Sequence, residues 1–251
     1  MFKNYLKIAL RNLLKYKGYS LINILGLAVG MASCILILLY VHDELSYDQH
    51  NERAAQIYRV TRQWFNSDGS SSLHLGHVAP PIGPLLKNDF PDILQMARIA
   101  DGNEPLLRYQ DKVFQEERFY FADPNIFEIF TLPLLKGDPK NALADPNGVV
   151  LTSAMAQKYF GSEDPLGKVL NFDNQADLKV TGVMREIPVN SHFHFDFLGS
   201  MKLPELVFGE REFKNWGSNN YATYLLFPPN YATENFTKAI PAFIGRHHPD
   251  G

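Results

Sequence analysis

The chain has 251 residues, of which 45% are apolar and 20% are charged, and this balance excludes an intrinsically disordered protein. Its 24 basic and 27 acidic residues are unevenly distributed, because positions 1–20 hold five basic residues and no acidic one. The remaining chain therefore carries 19 basic against 27 acidic residues, the reverse of what a nucleic-acid-binding protein needs. The single cysteine, Cys34, excludes an intramolecular disulfide and a cysteine-based metal cluster.

The first segment, residues 1–20, has the pattern of an amphipathic helix that lies on the cytoplasmic face of a membrane. Basic side chains recur every four residues between apolar ones, at Lys3, Lys7, Arg11 and Lys15. Such a helix buries its apolar face among lipid chains and keeps its charges at the headgroups. This helix has two possible roles: it only fixes the orientation of the following membrane span, or it also docks a cytoplasmic partner. The residues alone do not favour one role over the other.

Residues 21–41 are predicted to form one transmembrane helix. The segment contains no charged residue, and at roughly 1.5 Å per residue it spans about 30 Å, the thickness of a bilayer core. A cleaved signal peptide is the alternative, but the apolar run is longer than a signal sequence needs and no small-residue cleavage site follows it. The spacing of Gly26 and Gly30 is a weak indication that another helix packs closely against this one.

The charges on either side of the span predict its orientation. Five basic residues precede it, and four acidic residues follow it before the first Lys or Arg, namely Asp43, Glu44, Asp48 and Glu52. The positive-inside rule therefore places the N-terminus in the cytoplasm and residues 42–251 outside the cytoplasmic (inner) membrane.

Residues 42–251 are predicted to form a mixed α+β extracytoplasmic domain. Strand patterns occur at Gln56–Trp64, Leu94–Ala100, Leu106–Tyr109, Lys112–Phe121, Val149–Leu151 and Tyr221–Phe227. Helices are predicted at Ala79–Asp89, Asn125–Phe130, Ser153–Phe160 and, interrupted at Pro241, at Ala232–Ile244. Thr152 is expected to cap the third of these helices and Gly161 to end it. A hairpin is predicted across the polar turn Asp173–Asp177, between Lys168–Phe172 and Leu178–Ile187.

One motif deserves comparison with a metal site. In an extended strand, His192, His194 and Asp196 share one face and three phenylalanines share the other, and two histidines with a carboxylate suit zinc. Residues two apart in a strand lie roughly 7 Å from each other, however, so an ion needs ligands from elsewhere. A strand with an aromatic core face and a polar outer face gives the same pattern, and we favour that interpretation.

No other motif argues for catalysis. The segment from Gly161 to Lys168 departs from a phosphate-binding loop in its glycine spacing and carries two acidic residues, so we expect a turn. The remaining histidines of interest are expected to be exposed, and they are His74 and His77 in a Ser/Gly-rich loop and the pair His247 and His248. We therefore predict no catalytic residue, no metal ligand and no cofactor.

The order of several short motifs resembles the permease subunits of MacB/FtsX-type ABC transporters. The resemblance covers essentially the whole chain and is carried by Phe2–Leu13, Asn23–Gly30, Val149–Thr152, Tyr159–Gly161, Asp164–Lys168, Val180–Val183 and Asn190–Phe197. It implies a non-enzymatic subunit with an extracytoplasmic domain of two lobes. Segments Gln56–Ala100 and Tyr221–Ile244 would build a porter-like lobe, and the intervening chain would build most of an inserted strand-rich lobe.

The same resemblance implies partners and a mechanism. Such permeases work as dimers, homomeric or heteromeric, beside an ATPase, which here would be a separate subunit because only 20 residues precede the span. ATP-driven motion of the membrane helices is relayed to the outer domain, which is called mechanotransmission, for export, extraction or regulation of a hydrolase partner. Family members continue into three further transmembrane helices, so a chain ending at Gly251 is expected to be the front of a longer permease.

Two other classes of function are compatible with the residues. A single-pass anchored binding or sensor module would have the same span and outer domain but no ATPase partner. An anchored metalloenzyme would use His192, His194 and Asp196, and the spacing of these residues makes it the weakest of the three hypotheses.

Overall fold

The computed structural model describes residues 2–248, so positions 249–251 of the predicted outer domain lie outside the described residues. The chain divides into two compact units, residues 1–47 and residues 48–251. The first unit consists of two helices, α1 (Phe2–Lys15) and α2 (Lys17–Ser46). These two helices confirm the helical prediction for both N-terminal segments.

Helix α2 is longer than the predicted span at both ends. Its 30 residues include an 18-residue window with a mean hydropathy of 2.6, which makes it long and apolar enough to cross a membrane. The polar side chain of Ser33 causes no difficulty in lipid because its hydroxyl donates to the carbonyl of Val29 at 2.9 Å. The additional C-terminal turn contains Asp43 and Glu44, which suits a turn that emerges into water.

The second unit is rich in strands. Its strands are β1 (Ile57–Val60), β2 (Arg62–Phe65), β3 (Ser71–Leu75), β4 (Gln95–Asp101), β5 (Leu106–Tyr109), β6 (Lys112–Gln115), β7 (Phe119–Ala122), β8 (Leu134–Gly137), β9 (Gly148–Thr152), β10 (Val169–Phe172), β11 (Ala176–Met184), β12 (Phe197–Ser200) and β13 (Tyr221–Leu226). Its helices are α3 (Ile82–Asp89), α4 (Ile126–Ile129), α5 (Ser153–Phe160), α6 (Lys202–Phe213) and α7 (Thr233–His247).

Eleven strands form one continuous sheet in the order β1-β13-β4-β7-β12-β9-β11-β10-β5-β6, with β8 paired to β11 on the side opposite β9. The pairs β7–β12 and β9–β11 are parallel and the other pairs are antiparallel. Strands β2 and β3 form a separate hairpin. The predicted α+β class is confirmed, and β4 joins the strands of the predicted first lobe to those of the second by pairing with both β13 and β7.

The core lies on both faces of this sheet. Successive residues of a strand point to opposite faces, and along β9 Val149 and Leu151 pack into one apolar cluster while Val150 packs into another. The same alternation separates Phe197 from Leu198 on β12. A third cluster buries one side of α3 and α7. Because both faces are covered, strands β9, β12 and β13 are buried along their whole length.

Local sequence signals position several elements as predicted. The Thr152 hydroxyl accepts from the amide of Met155 at 3.4 Å at the start of α5, and Gly161 ends that helix with a φ of 61°. The predicted hairpin forms between β10 and β11, where Asp173 and Asn174 both have positive φ angles. Such angles are tolerated by Asp and Asn because their short polar side chains bond locally to the backbone.

Some expectations are corrected by the structure. Helix α7 runs through Pro241 instead of stopping there, and its last turn is fixed by the buried Phe243 and by Asp89, which accepts from Arg246 at 2.6 Å. His247 is not freely exposed, since its ring contacts the same Asp89 carboxylate at 2.9 Å. Hydrogen bonds from Arg246 and His247 hold the pKa of Asp89 at about 2. The Ser/Gly-rich segment around His74 is strand β3, and the segment 112–121 contains two strands with a break at Glu116–Arg118.

A buried ion pair connects the sheet to α6, a helix that has no clear sequence signal. Arg98 on β4 is only 6% exposed, and its guanidinium donates to both oxygens of Asp123 at 2.9 and 2.8 Å and to Glu205 of α6 at 2.7 Å. Burial alone would lower the pKa of Arg98, but the two carboxylates raise it, so the group stays charged. The network therefore fixes the first turn of α6 against the sheet.

We expect Asp123→Ala to destabilise the second unit by about 3 kcal/mol, because the buried guanidinium of Arg98 would lose the carboxylate to which it donates two hydrogen bonds. Denaturant unfolding of the full chain in detergent measures this change. The matched control is Asp164→Ala, which removes the exposed pair with Lys136 and should cause a much smaller change. Equal effects of the two substitutions would contradict the assigned role of the Arg98 network.

Candidate functional site

The chain that leaves α2 is bound to the core of the second unit at that unit's first residue. The amide of Asp48 donates to the carbonyl of Asn190 at 2.8 Å. Its carboxylate accepts from the backbone amide of His192 at 3.1 Å and contacts the His192 Nδ1 at 2.7 Å. Asp48 has a φ of 59°, a left-handed conformation that Asp tolerates better than most residues. Only Tyr47 separates this point from the end of α2.

His192 continues the contact into the middle of the sheet. Its Nε2 lies 2.7 Å from the hydroxyl of Tyr224, a residue of β13 that is only 4% exposed. Burial raises the pKa of Tyr224 to about 12, so the phenol remains protonated at neutral pH. The ring of Phe130 packs edge-on against Tyr224 at 5.0 Å between centroids. The side chains of Asp48, His192 and Tyr224 thus connect the first residue of the second unit to its core.

A second group of bonds fixes the next residues of the chain to the segment after α4. The side-chain oxygen of Asn51 accepts from the amide of Thr131 at 3.0 Å, and the amide of Glu52 donates to the Thr131 hydroxyl at 2.9 Å. Arg53 adds a longer bond to the carbonyl of Glu128 at 3.3 Å. We call the segment 48–53, with Thr131, His192 and Tyr224, the anchor.

The anchor borders a small open depression of about 340 Å³. His50 also belongs to the anchor segment, and within residues 2–248 neither of its buried ring nitrogens has a hydrogen-bond partner. Burial lowers the pKa of His50 more than the nearby Asp48 raises it, so the ring is neutral near pH 7. The depression has a volume at the lower end of the range of small-ligand sites, and its lining side chains Asp48, Asn51 and His192 already bond within the domain, so a structural role suits the anchor better than ligand binding.

The three residues of the candidate metal motif have separate environments. His192 belongs to the anchor, His194 is half-buried, and Asp196 has a pKa that is raised by burial. Among the described residues, no group of three His, Cys, Asp or Glu side chains is close enough to hold a metal ion. The absence of metal, cofactor and catalytic residues nevertheless stays a prediction.

The aromatic half of that motif packs into the core, but the predicted strand with a single aromatic face is wrong, because β12 begins only at Phe197 and Phe195 and Phe197 pack into different apolar clusters. Phe195 and Phe197 are buried, and Phe193 stacks on Phe195 at 5.2 Å between centroids. Sequence reasoning missed the role of His192, because its partner Asp48 lies 144 residues away in the chain. The only local signal is the acidic residue Asp48, which follows the predicted membrane span. The charge rule that predicts the orientation of the span already accounts for an acidic residue there.

The comparisons with known proteins agree with this architecture. Residues 20–243 match the family model described as the MacB-like periplasmic core domain. The chain therefore belongs to the family of MacB-like periplasmic core domains, which are parts of ABC-type transporter permeases. No curated protein sequence matches the chain.

Three solved structures have similar folds. A domain assigned to a permease from Porphyromonas gingivalis is 21% identical, with a TM-score of 0.68 over 79% of this chain and 84% of that one. The periplasmic region of MacB from Actinobacillus actinomycetemcomitans is 17% identical, with a TM-score of 0.52 and coverages of 74% and 83%. The extracellular domain of the noncanonic ABC-type transporter YknZ from Gram-positive bacteria is 15% identical, with a TM-score of 0.50 and coverages of 76% and 94%. At these identities the likeness shows the fold.

We expect His192→Ala to loosen the anchor without unfolding the domain. The substitution removes both ring contacts and leaves Asp48 and Tyr224 without their shared partner, which should speed amide exchange of residues 48–54 by about 10-fold. Hydrogen–deuterium exchange of the full chain in nanodiscs measures this. His194→Ala is the control and should leave these amides unchanged. No acceleration in His192→Ala, or the same acceleration in both variants, would show that the anchor does not depend on His192.

Proposed function

We propose that this chain is the permease subunit, or the front part of the permease subunit, of a MacB/FtsX-type ABC transporter. In this proposal ATP-driven motion of membrane helices is relayed by α2 to the extracytoplasmic domain, which exports, extracts or regulates its target outside the membrane. The observation that carries the proposal is the anchor, which binds the chain to the domain core two residues after α2 ends.

The mechanical argument depends on stiffness. A flexible linker of Gly and Ser absorbs the displacement of one end without moving the other. Here, in contrast, residues 48–53 are held by backbone and side-chain bonds to three separate parts of the domain, at Asn190–His192, Thr131 and Glu128. A displacement of the last turn of α2 would therefore pull on the buried strand β13 through His192 and Tyr224.

The energy source is proposed to be a separate ABC ATPase in the cytoplasm. Helix α1 carries Lys3, Lys7, Arg11 and Lys15 and would lie on the inner face of the membrane, where such a subunit docks. We further propose a second permease protomer as partner, the outer domain in two functional lobes, and location in the inner membrane with residues 42–251 outside. A single-pass sensor without an ATPase is the competing function, and it would use the same helix α2, which is long and apolar enough to cross a membrane, and the same second unit.

Affinity purification of the full chain from its native membranes tests the partnership. We expect an ABC ATPase to co-purify, and Lys3→Glu, Lys7→Glu, Arg11→Glu together to reduce its yield by about 10-fold through repulsion from the anionic membrane face. The control reverses three exposed charges of the outer unit, at Lys140, Lys179 and Lys238. Absence of the ATPase from wild-type preparations would favour the sensor. If the ATPase still co-purifies with the triple α1 variant, the docking role proposed for α1 is wrong.

The proposed orientation predicts which side of the membrane each unit occupies. In a Cys34→Ala background, Lys140→Cys should react with a membrane-impermeant maleimide added outside intact spheroplasts, whereas Lys3→Cys should react only after lysis. Both positions are exposed in their own units, so accessibility reports the side of the membrane. Labelling of Lys3→Cys in intact cells would reverse the orientation.

A further inference from the structure

Another depression in the second unit opens beside α6 and is lined by Tyr221, the first residue of β13. Its volume is about 800 Å³, which is within the range of small-ligand sites. The chain enters the sheet at Ile57, which pairs with Leu226 at the end of β13, whereas the depression opens at Tyr221, at the other end of that strand. We call this depression the α6 groove, since α6 forms one of its walls.

The floor of the α6 groove is apolar and aromatic. Phe121 on β7 and Tyr221 on β13 are less than 10% exposed, and the ring of Phe172 lies 5.8 Å from that of Phe121 between centroids. These residues belong to three different strands, which are fixed by the continuous sheet. The floor is therefore rigid, and it provides an aromatic surface of the kind that binds apolar side chains.

The wall presents large apolar side chains to solvent. Val207 and Phe208 of α6 line the groove, and they are 61% and 65% exposed. The helical path breaks directly after them at Gly209, whose φ of 75° and ψ of 176° suit glycine. The first turn of α6 is held by the bond from Arg98 to Glu205. Adjacent exposed apolar residues on a fixed element mark an interaction site rather than a packing feature.

The charge of the groove selects its ligand. Three carboxylates line it, from Asp101, Asp173 and Glu212, and the lining residues include no Lys, Arg or His. An apolar floor with an acidic rim attracts a ligand that combines apolar groups with positive charge and repels an anionic one. Three acidic positions around one opening favour a ligand with more than one cation, which a peptide containing several Lys or Arg residues provides.

We propose that the α6 groove binds a short basic peptide, with an apolar side chain on the aromatic floor and its Lys or Arg side chains at the carboxylate rim. This inference deepens the proposed function and rests on it for one point, that the peptide is what the permease handles outside the membrane. Binding itself requires neither an ATPase nor any movement of α2, so the two proposals fail in different experiments.

The test measures binding of a dye-labelled synthetic peptide, Lys-Phe-Leu-Phe-Lys, to the full chain in phosphatidylcholine nanodiscs by fluorescence anisotropy. Zwitterionic lipid and empty nanodiscs remove the contribution of the membrane. We expect saturable binding that weakens with salt, and at least 10-fold weaker binding of the same peptide with Glu in place of Lys. Equal binding of the two peptides, or none of either, overturns the proposal.

Matched variants locate the site. Neutralising the rim with Asp101→Asn, Asp173→Asn and Glu212→Gln keeps the oxygen acceptors and should weaken binding about 10-fold. The control makes the same change in charge at exposed carboxylates elsewhere, namely Asp111→Asn, Glu117→Gln and Glu234→Gln. If the two sets of variants lose the same amount of peptide affinity, net charge alone attracts the peptide, and the assignment of the site to the α6 groove is wrong.

A second pair of variants tests the apolar wall without risk to the core. Phe208→Ala should weaken binding about 5-fold, whereas Phe65→Ala, which removes an equally exposed ring (64%) from the β2–β3 hairpin, should have no effect. If Phe208→Ala instead changes self-association of the chain and leaves peptide binding intact, the α6 groove is an interface between copies, and the peptide proposal is wrong.

Discussion

The anchor is the constraint on which the rest of this molecule depends. A chain that leaves a 30-residue apolar helix must satisfy its polar backbone groups at once, and it does so on the core of the domain rather than in a loose loop. Asp48, His192 and Tyr224 join the entry point to β13, which pairs with β1 and β4 on either side. A force on the chain at residue 48 would therefore act on β13, the second strand from the edge of the sheet.

The sheet connects the anchor to the rest of the domain. Its eleven strands form one hydrogen-bonded path, with side chains packed on both faces, so the strands cannot move independently without breaking core contacts. Arg98 extends this connection to α6 through Asp123 and Glu205. Tyr224 of the anchor and Tyr221 of the α6 groove lie three residues apart on β13, so one buried strand joins the two. In the proposed function, this strand would connect the chain at residue 48 to the α6 groove.

Local elements were largely predictable because their signals are local. The apolar length of α2, the Thr152 cap with Gly161 of α5, and the polar turn between β10 and β11 all depend on residues within a few positions of each other. Helix α6 was missed because Pro204 and Gly209 obscure its periodicity, and its position depends on Arg98, a residue 107 positions away. The break predicted at Pro241 was wrong because tertiary contacts at Phe243 and Asp89 support the last turn of α7.

Residue order was enough to predict a helix long and apolar enough to cross a membrane, an excess of acidic residues after it, the α+β class and the resemblance to a family. Each of these follows from composition, hydropathy or short motifs, which need no contact between distant residues. The contacts of His192 with Asp48 and Tyr224 depend on the folded chain, and so does the grouping of carboxylates from β4, the β10–β11 turn and α6 around one aromatic floor. Such sites are made by pairing strands in a particular order, and the order of strands in a sheet is not written in any one segment of the chain.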